Sequence, residues 1–467
     1  MHKNTKIVCT LGPASESEKI IEKMARAGMN VARLNFSHGN YEEFERLIHN
    51  IRAVSQKLHI PIAILQDLQG PKIRVGKMPE GVIFLKKNAR IILTTRRIKG
   101  NAKYIPVQYK KLPDDVKKNN HILIEDGLIE LRVKRVLKKD IFCQVIAGGL
   151  VQANKGINVP GASIQINPIT QKDKKDLIFG IKNDVDYVAL SFVKSAGNII
   201  ELRKLIRHHH GQARIIAKIE QREAIDNMES IITEADAVMV ARGDLGVEIA
   251  AEQVPIEQKK IIYLANIHGK PVITATQILE SMIENLRPTR AEISDAANAV
   301  FDHTDALMLS NETAIGKFPV TATLTLSKVA VAVEHELKKH TNYMANRLFP
   351  EKMPVAFGTC FDGIRLALDI GAKFIVAITY SGFTAQHTAK HRSYIPIIAI
   401  TPDCKVRSQL ALVWGIHHVF VETIDRKDHV AQTRRLLAKN KLVKKGDQIV
   451  IISNAGSEEK TISVMRI

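Results

Sequence analysis

The sequence predicts an α/β protein: a (β/α)8 TIM barrel with an inserted antiparallel β-barrel lid domain and a C-terminal open α/β domain. Three observations carry that prediction. Eight short, apolar, β-rich runs alternate with stretches of helical periodicity, the pattern of a parallel sheet closed into a barrel. Between the third and fourth runs the helix is replaced by a series of short β-like stretches. The chain has 467 residues, too many for a single core.

The eight runs are 7–10, 30–35, 62–67, 185–191, 214–220, 237–242, 272–276 and 306–310. Amphipathic helices are expected between most of them, for example over 17–27 and 198–208. The inserted segment holds β-like stretches at 81–85, 89–95, 121–124, 128–136 and 141–146, with turn pairs at Asp126-Gly127 and Gly148-Gly149. It should sit over the barrel mouth, where the βα loops emerge. A helix is expected over 320–340 and a linker over 341–354. Strands at 373–379, 395–401, 418–422, 448–453 and 461–466 would build the last sheet. The expected domains are therefore 1–70 with 162–340, the insertion 71–161, and 355–467.

Composition narrows the function classes. With 45% apolar and 25% charged residues, disorder is excluded. No apolar run reaches the ~18 residues of a membrane span. The N-terminus enters a strand-like run without an apolar signal core, which leads us to expect a cytoplasmic protein. Cys9, Cys143, Cys360 and Cys404 are scattered without CxxC spacing, against a disulfide framework or zinc site. His208, His209 and His210 are adjacent and cannot all point one way, so a solvated turn is expected there. The formal charge of +20 fits either nucleic-acid binding or an enzyme of anionic small molecules. The lysines are dispersed and no RNP, KH or zinc-finger pattern occurs, which favours the second.

In a barrel the C-terminal strand ends build the site, and here they are polar on all eight strands. Period-two spacing puts Lys218 and Glu220 on one face of the fifth strand. Glu220 can then meet Asp244, beyond the sixth. Two carboxylates holding a metal with open positions suit Mg²⁺ (or Mn²⁺). Arg33 and Arg74 offer planar forks for phosphate oxygens. Gly243 and Gly246 let backbone N–H groups approach an anion. A plain barrel salt bridge would explain Lys218 and Glu220 alone, but not charges at so many strand ends. Neither GxxxxGK[ST] nor GxGxxG occurs, so a nucleotide would be held by the rim and the insertion.

The stretches CTLGPAS, VARLNFSHG, DLQGPKIR, NKGINVPG, AKIEQREAIDN, VMVARGDLGVEI, TATQILESM, RPTRAEISDAANAV and MLSNETA resemble, in order, those of the pyruvate kinase family. The likeness covers nearly the whole chain. It implies phosphoryl transfer from phosphoenolpyruvate to ADP, giving pyruvate and ATP. It further implies Mg²⁺ on Glu220 and Asp244, and Lys218 neutralising charge on the group in flight. Gly243 and Asp244 would receive the substrate carboxylate through their N–H groups. Thr276 would bind substrate and order the water that protonates the enolate, and Arg33 would bind the phosphoryl. Asn35, Phe36, Ser37, His38, Arg74 and Lys155 would contact the nucleotide, with Pro13 against the adenine. Lid closure would bring Lys155 in. A homotetramer is the family expectation.

The chain departs from the family in several places. Members that need K⁺ hold it at positions matching Asn35, Ser37, Asp67 and the Leu68 carbonyl. They usually carry Thr-Lys where this chain has Leu68-Gln69, and Glu where it has Lys72. Lys72 resembles the K⁺-independent branch, an ammonium standing in for the cation. Asn311 replaces the usual Gly, a change expected to be tolerated. Thr379, Ser381, Gly382 and Thr384 resemble the loop that cradles phosphate of a sugar-phosphate effector, with Phe383 where Arg is common. The short final loop, 453–461, lacks the Trp and Arg of bisphosphate-regulated members, so a sugar monophosphate or AMP is expected. Thr289 and Glu292 have the spacing of a capping box. Two other classes compete: a Mg²⁺-dependent pyruvate-forming lyase on the same barrel, and an RNA-binding protein.

Overall fold

A computed structural model describes residues 3–78, 82–125, 127–162, 164–339, 355–454 and 460–467. Three strands open the chain: β1 (Lys6–Thr10), β2 (Val31–Asn35) and β3 (Ala63–Asp67). The insertion follows, with β4 (Val82–Leu85), β5 (Arg90–Thr94), β6 (Tyr104–Pro106), β7 (His121–Ile124), β8 (Ile129–Leu137), β9 (Asp140–Ala147), β10 (Gly149–Gln152) and β11 (Ile157–Asn158). The barrel resumes as β12 (Tyr187–Leu190), β13 (Arg214–Ile219), β14 (Ala237–Ala241), β15 (Val272–Ala275) and β16 (Ala306–Leu309). The eight strands close in the order β1-β16-β15-β14-β13-β12-β3-β2, all parallel. The later strands each stop one residue before the end of the apolar run. Glu220, Arg242, Thr276 and Ser310 lie just beyond the ladder, free to form a rim.

Alternation along each strand divides two cores. In β13, Ile215, Ala217 and Ile219 face the surrounding helices, while Ile216 joins Val8, Leu65, Tyr187, Met239 and Met308 inside the barrel. Lys218 and Glu220 share parity with Ile216, so both point inward at the mouth. The helices start where side chains satisfy free N–H groups. Ser17 accepts from Ile20 ahead of Glu18–Ala27, and Asn40 with Glu43 boxes Tyr41–Leu58. The expected box of Thr289 and Glu292 opens Arg290–Phe301. Pro319–Lys339 covers the described part, 320–339, of the expected long helix.

The insertion forms a six-stranded sheet, β11-β7-β8-β9-β5-β6, and a ribbon, β10-β4. Pairing is antiparallel except between β5 and β6, which run parallel. The sequence reading missed β6, β10 and β11, which are two to four residues long, too short for a period to register. The C-terminal sheet has the order β19-β18-β17-β20-β21, from β17 (Phe374–Ile378), β18 (Ile397–Thr401), β19 (Ile416–Val421), β20 (Gln448–Asn454) and β21 (Lys460–Arg466). The linker 341–354, Asp126 of one turn pair and 455–459 of the final loop lie outside the described residues.

The last domain caps the bottom of the barrel. Ala411 and Leu412 enter the inner core. Around them Arg392 pairs with Asp305 at 2.7 Å, Lys405 reaches Asp184 at 2.7 Å and Asp186 at 3.3 Å, and the Tyr187 hydroxyl donates to the Gln409 carbonyl at 2.6 Å. Among the described residues, no helix is long and apolar enough to cross a membrane.

Candidate active site

The mouth gathers charge around one ammonium. Lys218 Nζ donates to Ser191 Oγ at 2.7 Å and lies 3.3 Å from Glu220 Oε2 and 3.4 Å from Asp67 Oδ1. Arg33 grips Asp67 from the other side, Nε at 2.8 Å and Nη2 at 2.7 Å, and donates through Nη1 to Thr10 Oγ1 at 2.8 Å. Burial works against the charge on Lys218, but the Asp67, Glu220 and Asp244 carboxylates outweigh it and hold the ammonium above its ordinary range. Burial also opposes ionisation of Asp67, yet Lys218 and Arg33 keep its carboxyl below the usual range. Glu220 goes the other way. Burial and the charges of Asp244 and Asp67 push it up, against Lys218 and the Phe192 N–H.

Both carboxylates predicted to hold a metal face this cluster. Glu220 Oε1 accepts from the Phe192 N–H at 2.6 Å, while the buried Oε2 has no hydrogen-bond partner. A buried carboxylate oxygen left open next to a second acid suits a hard divalent cation. Asp244 stands in the first turn of Arg242–Glu248, with Gly243 before it. Among the described residues no group of three or more acidic, histidine or cysteine side chains is arranged to hold a metal, so the remaining positions would fall to substrate and water.

The rim is held in strained backbone. Phe192, Thr276 and Gln277 have φ of 58°, 66° and 53°, a region that costs energy for a side chain, most of all a β-branched one. Gly70 lies against Phe192: a Cβ there would come within 2.7 Å of the ring. Thr276 Oγ1 accepts from the Gly243 N–H at 2.7 Å, so the amide expected to meet a carboxylate is occupied by the threonine.

Other expected residues spread along the rim. The Asn35 side-chain Oδ1 accepts from the Ser37 N–H at 3.1 Å, and the Leu68 main-chain carbonyl accepts from Ser191 Oγ at 2.8 Å. Pro13 and His38 are exposed. The Phe36 ring is buried and stacks on Phe44 at 4.0 Å, so only its main chain faces the rim, and Lys172 takes that carbonyl. Arg74 donates to the Asn154 carbonyl at 2.8 Å, and Lys155 pairs with Glu125 in the insertion. A cleft of about 230 Å³ separates insertion from barrel. Lys72, Ile157 and Asn158 line one wall, and Phe192, Asp244 and Glu248 the other. Lys72 is exposed there, its stem against Gly156. Asn311 is exposed at the start of its helical turn.

Sequence reasoning missed two supports. Ser191 links Lys218 to the Leu68 carbonyl. Arg242 clamps the strained turn, donating to the carbonyls of Thr276 at 2.7 Å and Gln277 at 2.9 Å, and anchors on Asp295 at 2.6 Å. Arg242 was visible at a strand end, but no spacing announces an acid 53 positions away.

Cations, carboxylates and strained backbone at the C-terminal rim of a parallel barrel define a barrel enzyme that works on an anionic substrate. Two family profiles match the chain: pyruvate kinase, barrel domain, over residues 2–323, and pyruvate kinase, alpha/beta domain, over 359–467. A pyruvate kinase of Geobacillus stearothermophilus is 45% identical over 97% of this chain and 77% of its own length. A pyruvate kinase 2 of Synechocystis is 43% identical over 96% of this chain and 76% of its own. The crystal structure of a pyruvate kinase from Cryptosporidium parvum superposes with a TM-score of 0.92 at 34% identity, covering 99% of this chain and 96% of that one. The chain belongs to the pyruvate kinase family and is a phosphotransferase. Family membership replaces the lyase and RNA-binding alternatives.

Proposed function

We propose that the mouth transfers the phosphoryl group of phosphoenolpyruvate to ADP, with Lys218, Glu220 and Asp244 at its centre. The observation that carries this reading is the ammonium held between buried carboxylates, 3.3 Å from a Glu220 oxygen without a hydrogen-bond partner. Glu220 and Asp244 would hold Mg²⁺ or Mn²⁺, which when bound neutralises charge on substrate and phosphoryl oxygens. Lys218 and Arg33 face the same space and stabilise charge on the phosphoryl as its bond to the enolate oxygen breaks and its bond to the ADP oxygen forms. Gly243 and Asp244 N–H groups orient the substrate carboxylate. Thr276 Oγ1 then turns from the Gly243 amide toward substrate and positions the water that protonates the enolate carbon. Residues 71–161 act as the lid, with Arg74 and Lys155 on ADP beside Pro13, Asn35, Phe36, Ser37 and His38. Closure excludes water from the transfer.

The reaction is taken to run without K⁺. Three of the expected K⁺ ligands have internal partners: Asp67 two cations, the Leu68 carbonyl Ser191, and Asn35 the Ser37 amide. Lys72 supplies the extra positive charge from the cleft. The chain is further taken to act in the cytoplasm as a homotetramer, with a sugar monophosphate or AMP bound near Thr379, Ser381, Gly382 and Thr384. Of these, Thr379 and Thr384 are buried, and Ser381 is exposed. A lactate-dehydrogenase-coupled assay with phosphoenolpyruvate and ADP, run with and without K⁺, tests the proposal. Turnover dependent on both substrates and on a divalent cation supports it; its absence in folded protein refutes it.

A further inference from the structure

A second cluster of cations lies on the insertion, and no step above uses it. A cavity of about 750 Å³ opens on the outer face of the six-stranded sheet. Along β5 and β9, Ile91, Leu93, Cys143 and Val145 turn into the core of the insertion. Their neighbours Arg90, Ile92, Phe142 and Gln144 therefore turn outward. The register sets these in two rows across the strands. Arg90 stands opposite Gln144, and Ile92 opposite Phe142, which in turn stands opposite Arg135 of β8. A bulge between Val133 and Arg135 brings Lys134 to the same rim. Lys103 joins from the other side, where its carbonyl accepts from the Ile92 N–H at 2.9 Å. Ile92 and Phe142 make an apolar floor, and Arg90, Lys103, Lys134 and Arg135 surround it.

No acid lines this cavity. Carboxylates elsewhere on the same strands have other partners: Asp140 pairs with Arg96, and Glu130 is hydrogen-bonded to His121. Among the described residues, Arg90, Lys103, Lys134 and Arg135 form no ion pair, and all four are exposed. Arg132, on the same face of β8, keeps a buried Nε without a hydrogen-bond partner. The Arg135 guanidinium lies over the Phe142 ring at 4.1 Å, a stack that orients the fork and leaves its N–H edge for an anion. Like charges gathered around one space repel each other, a cost that the fold itself does not require and that a bound anion removes.

The spread of the charges selects the ligand. The cations stand on β8, on β5 and at the start of β6, and the order β8-β9-β5-β6 separates the outer ones by three inter-strand steps of about 4.8 Å. A single phosphate cannot reach across that width. Carboxylates on one face of an extended peptide stand about 7 Å apart, so few of them enter the cavity. A chain of linked phosphates carries charge on every unit and meets all the cations at once. We propose that this cavity is a binding site for a polyphosphate chain, its oxygens on Arg90, Lys103, Lys134 and Arg135 and any attached planar ring against Ile92 and Phe142. No residue of the cavity lines the cleft between insertion and barrel, so the site is separate from the transfer. It also gives a use to part of the +20 charge that the catalytic mouth leaves unexplained.

The test is calorimetric titration of the full chain with inorganic tripolyphosphate, ATP and orthophosphate, in buffer without divalent metal. Tripolyphosphate should bind at least about tenfold more tightly than orthophosphate. ATP no tighter than tripolyphosphate identifies an inorganic source, and tighter ATP identifies a nucleoside source; either supports the site. Arg135→Gln should weaken tripolyphosphate binding about tenfold, and Arg90→Gln with Arg135→Gln about a hundredfold, with kcat and the thermal midpoint retained. Lys218→Met should leave that binding unchanged, which separates the site from the mouth. Three outcomes overturn the proposal: tripolyphosphate binds no more tightly than orthophosphate, binding survives the double variant, or binding is lost in Lys218→Met. An oligoglutamate peptide or a single-stranded RNA oligonucleotide that binds through these cations when tripolyphosphate does not would make the face a macromolecular surface, and also overturns it. Because calorimetry needs no turnover, these outcomes are independent of the catalytic assignment.

Discussion

The two ends of the barrel both bury ions, but they balance them differently. At the bottom, Asp186 is pushed up by burial, and the charged neighbours that act on it, Arg52 and Lys405, favour its charged form. At the mouth, Glu220 is also pushed up by burial, but its neighbours divide. Lys218 favours the charge, while Asp244 and Asp67 oppose it. Arg392 with Asp305, Lys405 with Asp184 and Asp186, and Arg52 with Asp186 close the bottom with three cations against three carboxylates. The mouth sets Asp67, Glu220 and Asp244 against Arg33 and Lys218, one carboxylate in surplus. A balanced network stabilises a joint. A surplus acid is a standing cost unless a cation arrives, which is the logic of a site rather than of a scaffold.

Substitutions at the two ends should therefore fail in different ways. Lys218→Met should lower kcat by about 10³-fold, with the circular dichroism of the folded protein retained. A kcat within a few-fold of the parent would remove Lys218 from the chemistry. Arg392→Met should do the reverse, lowering stability by about 3–5 kcal/mol in denaturant titration while the folded fraction keeps its kcat. Loss of turnover without loss of stability would erase the distinction between the ends.

Much of this contrast was legible in the sequence. The eight apolar runs became the eight barrel strands because hydrophobic period and helix alternation are local properties that survive folding. Lys218 and Glu220 fell on one inward face because strand parity is fixed by two residues of spacing. The short strands β6, β10 and β11 escaped because they are stabilised by pairing with distant strands, not by their own pattern. The Arg242 clamp escaped for a similar reason: its partners, Thr276, Gln277 and Asp295, come from other βα units. The cations on the outer face of the insertion were equally invisible, because only strand pairing brings Arg90, Lys103 and Arg135 to one cavity.

Two smaller effects sharpen the comparison. Arg242→Gln should release the Thr276 turn and lower kcat about 10- to 100-fold with little change in the denaturation midpoint, and Arg242→Lys should recover part of the loss. An equal loss in both variants, accompanied by unfolding, would make Arg242 a structural residue only. Lys72→Glu should create a demand for K⁺, which would tighten the variant's apparent phosphoenolpyruvate affinity at least about fivefold while leaving the parent unaffected. A parent that needs K⁺ in tetramethylammonium buffer would contradict the role given to Lys72.

The surplus carboxylate at the mouth is tested most directly by Mn²⁺ binding, followed by electron paramagnetic resonance in the presence of phosphoenolpyruvate. The account predicts one tight Mn²⁺ per chain, weakened at least about tenfold by Glu220→Gln and not by Asp186→Asn in protein that remains folded. Unchanged Mn²⁺ affinity in Glu220→Gln would contradict it.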